Sequence, residues 1–178
     1  MKPQLVRLFC AALLLLAFDL LGQSESKKAK IVADAKVAKA EFIKADPGMN
    51  ATFSKAYGYV IFPNVGKGGI GVGGAAGNGV AYQSGKSIGT AKLSQVSVGF
   101  QLGGQSYREV IFFENKKALG RFKENRVELS AQVSAVAATS GASANAKYVE
   151  GVMVFTMQKG GLMYEASVGG QKFKFEPN

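Results

Sequence analysis

The chain has 178 residues, of which 47% are hydrophobic, and this length suits a single globular domain. It carries 22 basic and 12 acidic side chains, a formal net charge of +10, and 23 glycines. Histidine and tryptophan are absent and there is one cysteine. This composition excludes a His-based triad, a His-containing zinc site, an internal disulfide and a CxxC redox pair, and it predicts no cofactor and no metal ion.

The first 22 residues have the pattern of a signal peptide. Lys2 and Arg7 give a basic start, and a nearly continuous apolar run follows over residues 8–21. A run of about 14 residues is too short to cross a bilayer comfortably but suits a signal-peptide core. Cys10 stands at the start of this run, which argues against a lipid-anchored new amino terminus. We predict cleavage after Gly22 and export of residues 23–178 as one domain, periplasmic or secreted, peripheral on a membrane.

Residues 24–46 are rich in Ala and Lys and predict a long amino-terminal helix. Apolar residues recur there at helical spacing and fall on one narrow stripe. The sequence Asp46–Pro47–Gly48 ends the pattern, because a proline disfavours helical geometry in the residue before it. The stripe consists of Ile31, Ala35, Ala38, Phe42 and Ala45.

Residues 55–176 change to a period of two and predict a β-rich core. Val96–Leu102 alternates most clearly, and Gly103–Gly104 is predicted to turn it into a hairpin with Tyr107–Phe113. Two further features are a short strand, Tyr57–Phe62, ended by Pro63, and a hairpin turn at Asn78–Gly79. A short helix is predicted from Asn115 to about Glu124, with three residues facing inward: Ala118, Leu119 and Phe122.

The last third of the chain predicts more strands. Val149–Met157 is apolar on both faces, which is typical of a central strand. Alternation over Val127–Ala137 indicates another strand, and Ser140–Ala146 a small-residue loop. Glycine pairs 160–161 and 169–170 are predicted to turn the chain into Leu162–Val168 and Phe173–Phe175. The fold class is therefore α+β, a curved, mainly antiparallel sheet or barrel-like core with one long amino-terminal helix and one short helix.

The sequence contains only weak matches to known cofactor-binding and catalytic motifs. Gly66–Gly71 satisfies GxGxxG, but no helix can follow it and no acid lies near the required position, so a dinucleotide site is excluded. The glycines instead permit tight bends and close backbone approach. No two carboxylates are fixed together, so we predict no enzyme activity but helix-end electrostatics and surface pairing for the acidic residues Glu109, Glu114, Glu124, Glu128 and Glu165.

Charge is more informative than any motif. No acidic residue occurs between Pro47 and Arg108, and the amino-terminal helix adds six lysines. Such a surface attracts anions at long range. In an exported protein the abundant polyanions are lipid headgroups and envelope polymers rather than nucleic acid. A simpler alternative is that the lysines only keep an Ala-rich helix soluble.

Several separated motifs resemble the SYLF domain family. They begin with Tyr57–Pro63, Gly66–Gly69 and Gly73–Gly74, and they continue with Gln101–Gln105, Ile111–Asn115, Lys159–Leu162 and Ser167–Gly170. The resemblance covers roughly residues 30 to 176 and points to a bacterial, exported SYLF protein standing alone. It implies lipid binding, because eukaryotic SYLF domains bind phosphoinositides with the help of an amino-terminal amphipathic helix. Yeast relatives also bind actin filaments.

The sequence and the resemblance together predict a non-enzymatic module that binds anionic lipid headgroups at a membrane surface. Lys67, in a predicted Gly66–Gly69 turn, is the best single candidate for a phosphate contact, because glycines expose backbone N–H groups beside its ammonium. Helix lysines supply long-range attraction: Lys27, Lys28, Lys30, Lys36 and Lys39. The glycines assigned to motif and backbone roles are Gly66, Gly68, Gly69, Gly103, Gly104, Gly160 and Gly161. The alternative is a structural or protein-interaction module of the cell envelope.

Overall fold

The computed structural model describes residues 25–70, 72–98, 104–127, 129, 134–160 and 168–178. Four helices occur in these residues: α1 (25–45), α2 (Met49–Lys55), α3 (Lys116–Lys123) and α4 (Ala142–Asn145). Seven strands accompany them: β1 (Gly58–Ile70), β2 (Val72–Gln83), β3 (Lys86–Val98), β4 (Gln105–Phe113), β5 (Ala135–Ala137), β6 (Val152–Gly160) and β7 (Lys172–Pro177).

All seven strands belong to one sheet with the order β5-β6-β4-β1-β2-β3-β7. Neighbouring strands are antiparallel except for the β5–β6 pair, which is parallel. The predicted α+β class with a mainly antiparallel sheet is therefore confirmed. Within the described residues the edge strands β5 and β7 do not pair with each other, so the sheet is open and the barrel-like alternative is not formed.

The sheet buries both of its faces because successive strand residues point to opposite sides. On β1, Tyr59 and Ile61 join a cluster with Phe42 of α1, whereas Val60 and Phe62 join a second cluster. Residues of α3 lie in the second cluster. We call these two sides of the sheet the α1 face and the α3 face.

Helix α1 packs on its face through the predicted stripe. Ala35, Ala38 and Phe42 are fully buried, and Ile31 is half-buried. Small residues let the helix approach the sheet closely, and full burial of one phenylalanine is worth about 1.5–3 kcal/mol. The helix ends at residue 45, before Asp46 and Pro47, so its predicted end is confirmed.

A second helix, α2, follows directly and was not predicted. It contributes Met49 and Phe53, one turn apart, to the same core. The Phe53 ring packs edge-on against Tyr59 and Phe112, with centroids 5.0 and 4.9 Å away. Seven residues are too few for a helical repeat to stand out in the sequence, which explains the omission.

Strand β1 corrects the prediction that Pro63 ends a short strand after Phe62. The strand continues to Ile70, and its register shifts against both neighbours around Pro63. Pro63 itself has no paired residue on β2 or β4. A bulge accommodates a proline within a sheet, because the missing N–H falls where the ladder is already interrupted.

The glycine-rich region corrects two further predictions. Gly66–Gly69 does not form a turn but lies in β1, where Gly68 and Gly69 face Gly74 and Gly73 of β2. Asn78–Gly79 is likewise no hairpin turn, since both residues pair with β3 inside β2. Gly79 is required by close approach: a Cβ there would lie 2.5 Å from the Ile61 carbonyl oxygen and 2.7 Å from the Phe62 ring.

The predicted hairpin between Val96–Leu102 and Tyr107–Phe113 is wrong. Strand β3 pairs with β2 and β7, whereas β4 pairs with β1 and β6. Local alternation identified both strands, but it carries no information about which long-range neighbour each strand pairs with. Residues 99–103 of this prediction, with Gly103, lie outside the described residues.

The later elements mostly follow the prediction. Helix α3 has the predicted position and inward residues, and β6 is an interior strand in which residues 152–156 are all buried. Residues 169–170 form the predicted turn into β7. Within the predicted loop Ser140–Ala146, however, α4 forms after Gly141, whose φ of 80° begins the turn. Strand β5 covers residues 135–137 of the strand predicted over Val127–Ala137, and residues 128 and 130–133 of that prediction lie outside the described residues. Residues 161–167, which include Gly161 and most of the strand predicted over Leu162–Val168, also lie outside them.

Candidate functional site

The outward side of α1 is basic and otherwise carries small residues. Lys30, Lys36 and Lys44 are exposed there, with Val37 57% exposed among them. Three exposed alanines fill the rest of this side: Ala29, Ala33 and Ala40. The buried stripe fixes the rotation of the helix, so these lysines point away from the sheet because of packing on the opposite side.

Some of the helix lysines are neutralised locally and others are not. The Lys30 Nζ lies 2.7 Å from an Asp34 oxygen, and the Lys28 Nζ lies 3.7 Å from Glu25. Exposed pairs of this kind are worth at most about 1 kcal/mol and screen only part of the charge. In the part of the chain that the structure describes, Lys27, Lys36 and Lys44 form no ion pair. Lys27 lies one turn before Ile31, on the side of the stripe. The α1 basic surface is therefore defined by the other exposed lysines of the outward side: Lys30, Lys36 and Lys44.

A basic cleft of about 210 Å³ lies between α1 and the strands beneath it. Its lining contains three cationic side chains and one carboxylate, so it is net positive. The lining residues are Lys30, Asp34, Val37, Pro63, Asn64, Arg108 and Lys159. At about 30 Å³ per water molecule the cleft holds several waters or a small anionic group.

The β1 bulge shapes this cleft. Asn64, which follows Pro63, is exposed, and its Oδ1 accepts hydrogen bonds from Ser106 Oγ at 3.0 Å and Lys159 Nζ at 3.2 Å. These contacts hold the Lys159 ammonium at the cleft. Arg108, half-buried on β4, has no hydrogen-bond or ion-pair partner among the described residues. Its guanidinium is therefore available to an anion.

Lys39 does not share this surface. It is half-buried, its Nζ donates to the Tyr59 hydroxyl at 3.2 Å, and it lies 4.7 Å from the centre of the Phe53 ring. A cation over an aromatic ring is attracted by the ring quadrupole. Lys39 therefore joins α1 to α2 and β1, and its predicted contact with lipid stays a prediction.

Lys67 is also separated from the exposed lysines. It is 8% exposed and lies in extended β1, opposite Ala75 of β2 and Gln105 of β4. Among its flanking glycines, Gly66 has open space where a Cβ would stand. The predicted turn is absent, and with it the argument that exposed N–H groups lie beside the Lys67 ammonium. Phosphate binding by Lys67 stays a prediction.

Glu109 corrects the expectation that the acidic residues pair at the surface. Its carboxyl is fully buried on β4, and one oxygen accepts a hydrogen bond from Gln171 Nε2 at 3.0 Å. The other oxygen has no hydrogen-bond partner among the described residues. Burial raises the pKa of Glu109 to about 8, although the Gln171 hydrogen bond opposes the shift. Burial also raises the pKa of nearby Tyr107 far above its ordinary value, with a contribution from Glu109.

Asp46 is the opposite case, a buried carboxyl that stays ionised. Burial alone would raise its pKa, but hydrogen bonds from Ser143, Gly48 and Gly141 outweigh burial and lower it. The backbone N–H groups donate to its oxygens over 2.7, 3.1 and 3.3 Å, respectively. Asp46 therefore joins the end of α1 to the start of α4.

Sequence reasoning did not assign Asn64, Arg108 or Lys159 to a site. Two signals were present: a proline within an apolar strand, which indicates a bulge, and the alternation that places Arg108 on the same face as Val110 and Phe112. What the sequence lacked was the neighbour order of the strands, which brings β1, β4 and β6 together.

In the described part of the chain, no helix has both the length and the apolar character needed to span a bilayer.

Comparison with known proteins gives two matches. Residues 94–178 match the model of a family described as Las17-binding protein actin regulator (Ysc84). Beta cell expansion factor A of Aeromonas veronii is 28% identical over 159 residues, which are 87% of this chain and 60% of that protein. The chain thus spans about three fifths of the length of this curated relative. The family match contains the four later motifs but not those between residues 57 and 74.

Proposed function

We propose that this protein is a member of the SYLF family that its motifs predict and that it binds anionic phospholipid headgroups at a membrane surface. The match of residues 94–178 to the family model, together with the similarity to Beta cell expansion factor A, supports the coarser statement that the chain is a lipid- or actin-related binding module. One observation carries the finer proposal: packing of α1 by its apolar stripe leaves the α1 basic surface directed outward beside the basic cleft.

The charges on this side are sufficient for useful attraction. A lysine or arginine near an anionic bilayer contributes about 1 kcal/mol. The two unpaired outward lysines, Lys36 and Lys44, together with Arg108 and Lys159 would contribute on the order of 4 kcal/mol. That corresponds to roughly a thousandfold preference for an acidic over a neutral surface, since about 1.4 kcal/mol is tenfold.

The mode of binding follows from the residues between the lysines. Val37 is the one large apolar side chain on the outward side of α1 among the described residues, and the others are alanines. A helix that inserts into a bilayer needs a broad apolar face, and the large residues of α1 are used against the sheet. Attraction is therefore electrostatic, and salt should weaken it.

Variants of exposed lysines test this proposal. We expect Lys36→Gln and Lys44→Gln each to reduce the partition of the protein into vesicles of 70% phosphatidylcholine and 30% phosphatidylglycerol about fivefold. Lys86→Gln is the matched control, because Lys86 is exposed on the β2–β3 hairpin, away from the cleft. Buried Lys67 is not required by the proposal. Equal partition of the α1 variants and the wild type would contradict it.

A second candidate is a protein-interaction module. The description of the matched family names a protein partner, Las17, and an actin regulator, and this favours recognition of a protein by the same basic surface. Two measurements distinguish the candidates. Lipid binding requires co-sedimentation with acidic vesicles alone, whereas a protein-interaction module would leave the vesicles unbound and would capture a protein partner whose binding resists moderate salt.

The predicted export of the chain belongs to this proposal. Cleavage after Gly22 would place the protein in the periplasm or outside the cell, where acidic phospholipid is the accessible polyanion. Mass measurement of the protein recovered from the periplasmic and extracellular fractions tests this step. A protein that retains residues 1–22 in the cytoplasm would contradict it.

A further inference from the structure

A second basic surface is built on α3. An open depression of about 790 Å³ runs along the outer side of this helix and contains four cationic side chains and one carboxylate. We call it the α3 groove, and its lining consists of Lys116, Lys117, Gly120, Arg121, Glu124 and Arg126. Its four cations against one carboxylate give it a net positive charge, so it suits an anionic ligand.

The packing of α3 presents this groove to solvent. Ala118, Leu119 and Phe122 are buried in the core. Asn115 caps the helix, its Oδ1 accepting a hydrogen bond from the Ala118 N–H at 3.0 Å. With these three residues inward, helical spacing places positions 116, 117 and 120 together on the outer side. The orientation of the cations is therefore fixed by the core.

Arg121 is held at the groove by the backbone. One of its terminal nitrogens donates to the Glu150 carbonyl oxygen, which holds the guanidinium in place. Its Nε–H is buried and has no acceptor among the described residues. Arg126 pairs with Glu124, whereas Lys116 and Lys117 are exposed without an ion pair in the described part of the chain. The groove therefore keeps a net positive charge after its internal pairing.

Gly120 leaves the middle of the groove without a side chain. It stands in the middle of α3, where glycine is less favourable than alanine, and a Cβ at this position would meet nothing within 4 Å. No packing within the described residues therefore requires a glycine. A glycine on an exposed helix surface lets another molecule come close to the helix backbone.

The α3 groove and the α1 basic surface lie on opposite sides of the sheet. Alternate residues of β4 reach the two cores: Val110 and Phe112 lie in the cluster of α1, whereas Ile111 and Phe113 lie in the cluster of α3. One flat membrane cannot contact both basic surfaces at once. A protein that binds anionic lipid through α1 would present the α3 groove to a second surface.

We infer that the α3 groove binds the phosphate groups of a second anionic phospholipid surface, so that the protein bridges two bilayers. This inference rests on the proposed lipid binding by α1. Charge complementarity selects the occupant: phosphodiester headgroups are anionic, closely spaced and accessible to a shallow groove that carries four cationic side chains. Lys116 and Lys117 supply the attraction, and Gly120 the close approach.

Vesicle clustering tests the inference separately from vesicle binding. The full protein is mixed with vesicles of 70% phosphatidylcholine and 30% phosphatidylglycerol, and turbidity reports clustering while co-sedimentation reports binding. We expect the wild type to cluster the vesicles. Lys116→Gln combined with Lys117→Gln should raise the protein concentration for half-maximal turbidity about tenfold or more, with co-sedimentation retained through α1. Lys123→Gln is the matched control, because this exposed lysine of α3 does not line the groove.

Gly120→Ala gives an independent readout. A helix-favouring alanine should raise Tm by about 2–4 °C while it weakens clustering, because the methyl group occupies the line of approach. A variant that is both more stable and less active in clustering cannot be explained by misfolding.

Three results would overturn the inference. Vesicles that co-sediment with the wild type but do not cluster would exclude bridging and leave the proposed function intact. Clustering that is unchanged in the Lys116/Lys117 variant would place the second contact elsewhere. Groove-dependent binding of inorganic pyrophosphate without clustering would assign the groove to free phosphates instead of lipid. Absence of co-sedimentation by the wild type would be a failure of the proposed function itself, and bridging would fall with it.

Discussion

Glu109 makes the stability of the fold depend on pH. In the unfolded chain its carboxyl loses a proton near the ordinary pKa of 4.5, whereas burial in the sheet raises this pKa to about 8. Between these values the unfolded state binds fewer protons than the folded state, so the free energy of unfolding falls as pH rises. One pKa unit corresponds to about 1.4 kcal/mol, so the loss approaches about 3 kcal/mol at pH 7 and about 5 kcal/mol above pH 8.

Glu109→Gln should remove this dependence. Glutamine has nearly the shape of a protonated glutamic acid, and its side-chain oxygen can accept the hydrogen bond from Gln171 Nε2. Below pH 4.5 we expect the variant to match the wild type within about 1 kcal/mol, because the carboxyl is then neutral in both states of the wild type. At pH 8 the variant should be the more stable protein by several kcal/mol.

Urea unfolding between pH 4 and pH 9 measures this difference. The free energy of unfolding in water is extrapolated for both proteins at each pH, and the wild-type value is subtracted from that of the variant. The subtraction removes the contribution of titrating groups that do not interact with Glu109. A difference that stays constant across this range would refute the reasoning, since it would mean that Glu109 is ionised in the folded protein or reaches water.

Two further predictions concern single contacts. Asp46→Ala leaves the part-buried N–H groups of Gly48, Gly141 and Ser143 without their acceptor and should cost about 1–2 kcal/mol at pH 7. Because the folded pKa of Asp46 is lowered, this cost should shrink as pH falls below its ordinary value of 3.8, and a cost independent of pH in urea unfolding would contradict the assignment. Gly79→Ala, which places a Cβ 2.5 Å from the Ile61 carbonyl oxygen, should lower stability by about 1–3 kcal/mol. Gly66→Ala is the matched strand control with open space at the Cβ, and equal thermal unfolding of the two variants would show that close approach does not matter.

The sequence predicts elements of this fold well where one pattern decides them. The inward residues of α3 repeat at helical spacing and are buried as predicted. The stripe of α1 has the same spacing, and the structure buries its residues Ala35, Ala38 and Phe42 against the sheet. The same holds for β6, where an uninterrupted apolar run indicates a strand covered on both faces. In each case the local pattern and the tertiary environment agree.

Sequence-based prediction of the elements fails where the same residue type is found in two different structural environments. Asn78–Gly79 is a strong turn signal, yet both residues lie inside β2, where Gly79 has no side chain because the backbone of β1 packs directly against it. Pro63 can end a strand or occupy a bulge, and the pairing partners of β1 select the bulge. Lys67 and Glu109 are charged residues that the fold buries, and alternation predicts that outcome only once strand boundaries are known.

The candidate site was predicted in part. Lysines of α1 follow from the sequence, because a helix with one apolar stripe must direct its remaining residues outward. Arg108, Lys159 and Asn64 could not be brought to the same place, since three strands distant in the chain meet there through the sheet order β6-β4-β1. Composition can thus predict an anion-binding surface, but long-range pairing determines where the cleft lies.

The central claim is that this protein binds anionic phospholipid through charge. Its most direct test is co-sedimentation of the purified protein with vesicles whose phosphatidylglycerol content increases from 0 to about 40%, each at low and at about 0.15 M salt, where screening acts over roughly 8 Å. We expect no binding to neutral vesicles, binding that rises steeply with acidic lipid, and a marked loss of binding at the higher salt. Binding that is independent of acidic lipid or of salt, or no binding to any composition, would contradict the account.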